Sequence, residues 1–105
     1  MWLFFSDSML SIVQKPDDKD TLTVRARIKG DIEAVFPDAK VIEGAGTDYR
    51  FRAKVPREVV AKVMFDRVMS LSASNFKASV KDRKRHDAYM NVWGAMYRYQ
   101  EEQRK

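Results

Sequence analysis

The chain contains no cysteine. That excludes disulfides, thiolate zinc sites and a cysteine nucleophile together, and it fits a reducing cytoplasm. Histidine occurs once, at position 86, without a nucleophile or a metal-ligand partner at a defined spacing. With only four glycines and three prolines, the sequence offers no phosphate-cradling glycine loop, and it shows no zinc pattern or serine elbow. No metal or cofactor is expected. No apolar run approaches the roughly 18 residues needed to span a bilayer, so no membrane association is expected. The opening segment MWLFFSDSMLSIV meets Asp7 early and lacks a basic flank or small-residue cleavage site. It reads as a folded strand, and the expected location is the cytoplasm.

What is present is ordinary for a globular protein: 105 residues, 45% hydrophobic and 33% charged. Such a chain can bury a core without covalent staples, and residues 1–105 read as one domain. No internal repeat, low-complexity tract or interdomain linker is visible. Charge is unevenly spread. From Lys77 to Lys105 there are eight Lys or Arg against four Asp or Glu, while the remainder has twelve against eleven. Most of the net charge of +5 therefore sits in the last segment. Clustered positive charge speaks to association with polyanions or acidic surfaces, not to fold.

Hydrophobic periodicity gives the elements. Trp2–Phe5 and Leu10–Val13 are apolar runs separated by Ser6–Met9, the pattern of a β-hairpin. Lys15–Asp20 is a charged turn containing Pro16. Over Thr21–Ile28, Leu22, Val24, Ala26 and Ile28 alternate with polar residues, marking a strand with one buried face. Gly30 and Asp31 open a short helix carrying Ile32, Val35 and Phe36, which Pro37 ends. Lys40–Glu43 is a minor strand, and Gly44–Asp48 is the clearest turn. Tyr49–Val55 alternates again, with Tyr49, Phe51, Ala53 and Val55 on the apolar side. Pro56 suits a helix start, and Val59, Val60, Val63, Met64, Val68 and Leu71 follow at helical spacing. After an irregular stretch through Phe76, a last helix is expected from Asp82 or Arg83 to about Glu101. The order predicts an α+β fold: a ferredoxin-like split βαβ core with an N-terminal β-hairpin and an extra C-terminal helix.

Four groups of residues invite a functional reading. If the two alternating strands are neighbours, Arg25, Arg27, Arg50, Arg52 and Lys54 share one sheet face. Like charges across strands are unfavourable unless an anion or acidic side chains intervene. The face is then either solvated and paired with local Asp and Glu, or a phosphate-tracking surface, since Arg grips phosphate bidentately. These two strands carry no exposed stacking aromatics. Lys81, Arg83, Lys84 and Arg85 open the last helix, where cations oppose the macrodipole; they extend the patch or form a solvated basic end. Asp82 is the expected cap. Of Tyr89, Trp93, Tyr97 and Tyr99, Trp93 is expected in the core, while one of Tyr97 and Tyr99 is exposed beside Arg98. His86 next to Asp87 could form an acid–base pair, but a surface histidine is the simpler reading.

The segments TLTVRARIKGDIEAVFPDAKV, DYRFRAKVPREVVAKV and NFKASVKDRKRHDAYMNVWGAMY resemble a group of small bacterial and phage proteins without an established activity. The shared pattern includes a C-terminal NFKxSVxDxxRHDAYxxVW motif. The resemblance spans most of the chain and singles out Asn75, Phe76, Lys77, Arg85, His86, Asp87, Tyr89 and Trp93. The phage association implies an accessory or counter-defence role of the anti-CRISPR kind.

The leading expectation is a non-enzymatic basic module that binds nucleic acid or a nucleoprotein through Arg25, Arg27, Arg50, Arg52, Lys54 and the Lys81–Arg85 cluster, with His86 and Arg98. The alternatives are an inhibitor docking on a host defence protein and a small ribonuclease using His86. A homodimer joined through a sheet edge is compatible with the pattern.

Overall fold

In the computed structural model, which describes residues 1–44 and 48–104, the alternating segments become one antiparallel five-stranded sheet. Its strands are β1 (Trp2–Phe5), β2 (Ser8–Val13), β3 (Thr21–Ala26), β4 (Ile42–Glu43) and β5 (Phe51–Pro56), in the order β1-β2-β3-β5-β4. Helix α1 (Asp31–Val35) joins β3 to β4, and α2 (Arg57–Met69) follows β5. Because β3 and β4 both run antiparallel to β5, which lies between them, β3-α1-β4 is a split βαβ unit. The hairpin strand β2 takes the position beside β3. The chain forms two units, one ending at Ser72 and the other beginning at Ala73.

In the first unit the apolar alternation buries one sheet face. Leu10 and Ile12 of β2, Val24 and Ala26 of β3, and Phe51, Ala53 and Val55 of β5 form the core with Ile32 and Val35 of α1, Phe36 just after it, and Val60 of α2. Gly30 precedes α1 at φ 93°, a left-handed conformation that a Cβ would disfavour. Arg67 of α2 lays its guanidinium over the Phe5 ring at 4.6 Å and donates to Asp7 and to the Ala34 carbonyl. That arrangement pins α2 over the hairpin end.

The structure departs from the sequence pattern at several places. The hairpin turn is only Ser6–Asp7, since Phe5 pairs with Ser8, so Ser8 and Met9 belong to the strand. β3 ends at Ala26, and Ile28 is exposed because the chain turns towards Gly30 before reaching it. β4 shrinks to two residues. Tyr49 precedes β5 and stays outside the core cluster: its ring receives the guanidiniums of Arg25 and Arg27 at 4.6 and 4.1 Å. On α2, Val60, Val63 and Met64 meet the core, whereas Val59 and Val68 point away and Leu71 lies beyond the helix; all three are exposed. The turn residues Ala45, Gly46 and Thr47 lie outside the described residues, as does Lys105.

The second unit holds α3 (Phe76–Ser79) and α4 (Arg83–Gln103). The irregular stretch ends in α3 because Asn75 caps it, its side chain accepting from the Ala78 N–H. Asp82 caps α4 as expected, accepting from the Arg85 N–H at 2.9 Å. Phe76 stacks on Tyr89 with ring centroids 5.8 Å apart, and Tyr89 is the buried side chain of α4. Trp93 is not in a core. It is 49% exposed, stacked on Tyr97 at 5.4 Å and approached by Lys77 Nζ at 4.6 Å. Tyr97 and Tyr99 are both exposed. Among the described residues, no helix is long and apolar enough to cross a membrane.

Candidate functional site

The sheet face opposite the core is set by register. Trp2 pairs with Ser11, Ser11 with Arg25, Arg25 with Arg52, and Arg52 with Ile42. Direct cross-strand partners share a face, so these five residues form one row across the whole sheet. At about 4.8 Å between strands the row is roughly 19 Å long. Trp2 and Ile42 at its ends are 70% and 60% exposed.

Structure separates the five strand cations into two kinds. Lys54 donates to Asp18 at 2.6 Å and lies 3.1 Å from Asp17. Arg27 meets Asp48 at 3.4 Å, and Arg50 stands 3.9 Å from Glu43. These three are matched by carboxylates from adjoining loops and from β4. Arg25 and Arg52 are not. Arg25 Nη2 donates to the buried Ser11 hydroxyl at 2.6 Å and its guanidinium rests over Tyr49, but among the described residues neither arginine forms an ion pair. The Nε atoms of both are shielded from solvent and lack a hydrogen-bond partner. Two half-buried like charges thus stand directly opposite each other, which costs stability unless an anion joins them.

Asp18 organises one border of this face. Its carboxylate accepts from Lys54 Nζ, the Lys15 N–H and the hydroxyls of Thr21 and Thr23. Lys54 first, then the Lys15 amide and the two hydroxyls, hold the Asp18 carboxyl far below the ordinary carboxylate range against the effect of burial. The same bond to Asp18 raises the Lys54 ammonium. Beside this anchor a cleft of about 260 Å³ is lined by Lys15, Asp17, Thr23, Ile42, Arg52 and Lys54. It mixes charges: Asp17 is engaged by Lys54, whereas Arg52 has no acidic partner among the described residues. Such a cleft suits an anion that can take up the guanidinium.

The remaining sequence-predicted residues lie in the second unit. Lys81, Arg83 and Lys84 are exposed at the start of α4. Lys81 Nζ donates to the Ala78 carbonyl. Arg85 is partly buried and donates to the Tyr89 hydroxyl at 3.3 Å. His86 Nδ1 is 3.6 Å from Asp87 Oδ1, and both side chains are solvent-accessible. Arg98 is exposed on α4. Among the described residues, no group of three or more His, Cys, Asp or Glu could hold a metal ion.

Sequence reasoning missed Trp2, Ser11, Ile42 and Asp18. The phase of the hairpin alternation relative to the arginine strands is fixed only by register, so Trp2 could not be placed beside them. Ser11, a hydroxyl inside an apolar run, was the available signal. Asp18 read as a turn former, whereas its side chain ties the turn to β3 and β5. No family model matches the chain, and no curated protein or solved structure matches it either.

Proposed function

We propose that the open sheet face binds single-stranded nucleic acid without catalysis. Arg25 and Arg52 hold backbone phosphates, and Trp2 offers a ring for a base. The observation that carries this reading is the opposed arginine pair, neither member of which has an acidic partner among the described residues, while Arg27, Arg50 and Lys54 are matched. Backbone phosphodiesters supply the missing anions, one accepting from each guanidinium. An exposed ring at the end of the same row supplies sequence-tolerant stacking, the usual complement to a basic groove. Arg27, Arg50 and Lys54, whose charges are already met, play a smaller part than the sequence alone implies.

The test is fluorescence anisotropy with a labelled oligo(dT) or oligo(U) at low salt. The wild type binds. The double substitution Arg25→Gln/Arg52→Gln lowers affinity by more than tenfold, as expected when hydrogen bonds to charged groups worth about 1.5–3 kcal/mol each are lost. A double variant that binds like the wild type, or a wild type that binds neither strand, overturns the reading.

A further inference from the structure

We infer that the exposed apolar face of α4 is a self-association surface that pairs antiparallel with α4 of a second copy of this chain. Tyr89, Trp93, Met96, Gln100 and Gln103 are spaced four, three, four and three apart, the heptad spacing that keeps one seam on one side of a helix. Tyr97 and Tyr99 flank that seam, and with Trp93, Met96, Gln100 and Gln103 they line a groove of about 510 Å³. From Tyr89 to Gln103 the only charged residues are Arg98, Glu101 and Glu102. At 100° per residue all three fall outside the seam, with Arg98 opposite it. Tyr89 at the first end is already buried against Phe76, so the open stripe runs from Val92 to Gln103, about 18 Å. It carries Val92, Trp93, Met96, Tyr97 and Tyr99 as exposed large side chains and is bordered by Lys77 over Trp93.

Charge argues for the occupant. A chain of net charge +5 repels its own copies over most of its surface, and this stripe, whose own α4 residues are uncharged and whose border holds Lys77, is where two copies can meet with little like-charge opposition. Orientation follows from the helix ends. A parallel pair would bring two Arg83–Arg85 turns together, whereas an antiparallel pair separates them and leaves each nearest the Glu101–Glu102 end of the other helix. Size agrees when the whole stripe is used. Taking about 200 Å² for an aromatic side chain, the exposed parts of Trp93, Tyr97 and Tyr99 give roughly 300 Å² per copy. A two-fold pair doubles this to roughly 600 Å² from rings alone, half the ~1,200 Å² at the lower limit of a specific interface. Met96, Val92 and the two glutamines supply the rest. The Trp93–Tyr97 stack is already ordered, so little side-chain entropy remains to be lost.

Sedimentation velocity of the full chain across 1–200 µM is the test. The wild type shifts from the 12.2 kDa monomer to twice that mass. Met96→Lys, which places a charge in the stripe, stays monomeric with unchanged far-ultraviolet circular dichroism, while Met96→Leu still dimerises. Trp93→Ala, as a second disruption, weakens association at least tenfold. A wild type that remains monomeric at 200 µM overturns the inference. So does a dimer that survives both Met96→Lys and Trp93→Ala, because association then uses another surface such as the β1 edge.

Discussion

Arg25 of β3 and Arg52 of β5 are direct cross-strand partners, and among the described residues neither faces a carboxylate. A fold selected for stability alone would place an acid or a neutral residue at one of those positions. Arg52→Gln should therefore raise stability by about 0.2–1 kcal/mol, the scale of a cross-strand like-charge pair. Urea unfolding reads this directly. A loss of stability on the substitution would show that Arg52 supports the sheet and does not await a ligand.

The matched cations give the complementary expectation. Arg27 and Arg50 already have Asp48 and Glu43 beside them. Arg27→Gln and Arg50→Gln should each change oligonucleotide affinity by no more than about fivefold, the equivalent of the ~0–1 kcal/mol typical of exposed charge contacts. A loss in either comparable to that of Arg25→Gln would widen the site to the whole strand face.

Acid sensitivity should come from Asp18. Its folded carboxyl is held below the ordinary value by Lys54, Lys15, Thr21 and Thr23. Its contribution is present above the unfolded carboxylate pKa of about 3.9 and is lost as pH falls below that towards the folded value. Lys54 has the opposite sign: raised in the fold, it contributes below about 10.4 and loses its contribution above. Asp18→Asn should lower the urea midpoint at pH 7 and flatten its decline between pH 4 and pH 2. An unchanged decline would locate the acid-sensitive group elsewhere.

Packing makes its own forecast. Leu10 is fully buried in the core, so Leu10→Ala should cost about 2–5 kcal/mol. Ile28 stands beyond the end of β3 and is exposed, so Ile28→Ala should stay within about 0.5 kcal/mol. Thermal melts of the two variants check where the strand ends.

Much of the fold was legible because period-two alternation in Thr21–Ala26 and Phe51–Val55, and the caps Asp82 and Gly30, are local signals. The split βαβ order followed from them. What was not legible was the partnering of elements. Alternation could say that Arg25 and Arg52 share a face, but only register shows that Trp2 and Ser11 lie in the same row. Turn chemistry explained why Asp18 occurs between strands without revealing that it reaches Lys54 across the sheet. Helical periodicity found the stripe of α4, yet period alone does not distinguish a buried stripe from an open one. On that one stripe Tyr89 is buried whereas Trp93 and Met96 are exposed.

Titrating a labelled single strand against wild type, Arg25→Gln, Arg52→Gln and the double variant over a KCl series tests the central claim most directly. With one phosphate held by each arginine, each single substitution should lower the log–log salt slope by about 0.7 and the double by about 1.4. A wild-type slope that persists unchanged in the double variant would mean that other cations hold the strand, and the opposed arginine pair would lose its assigned role.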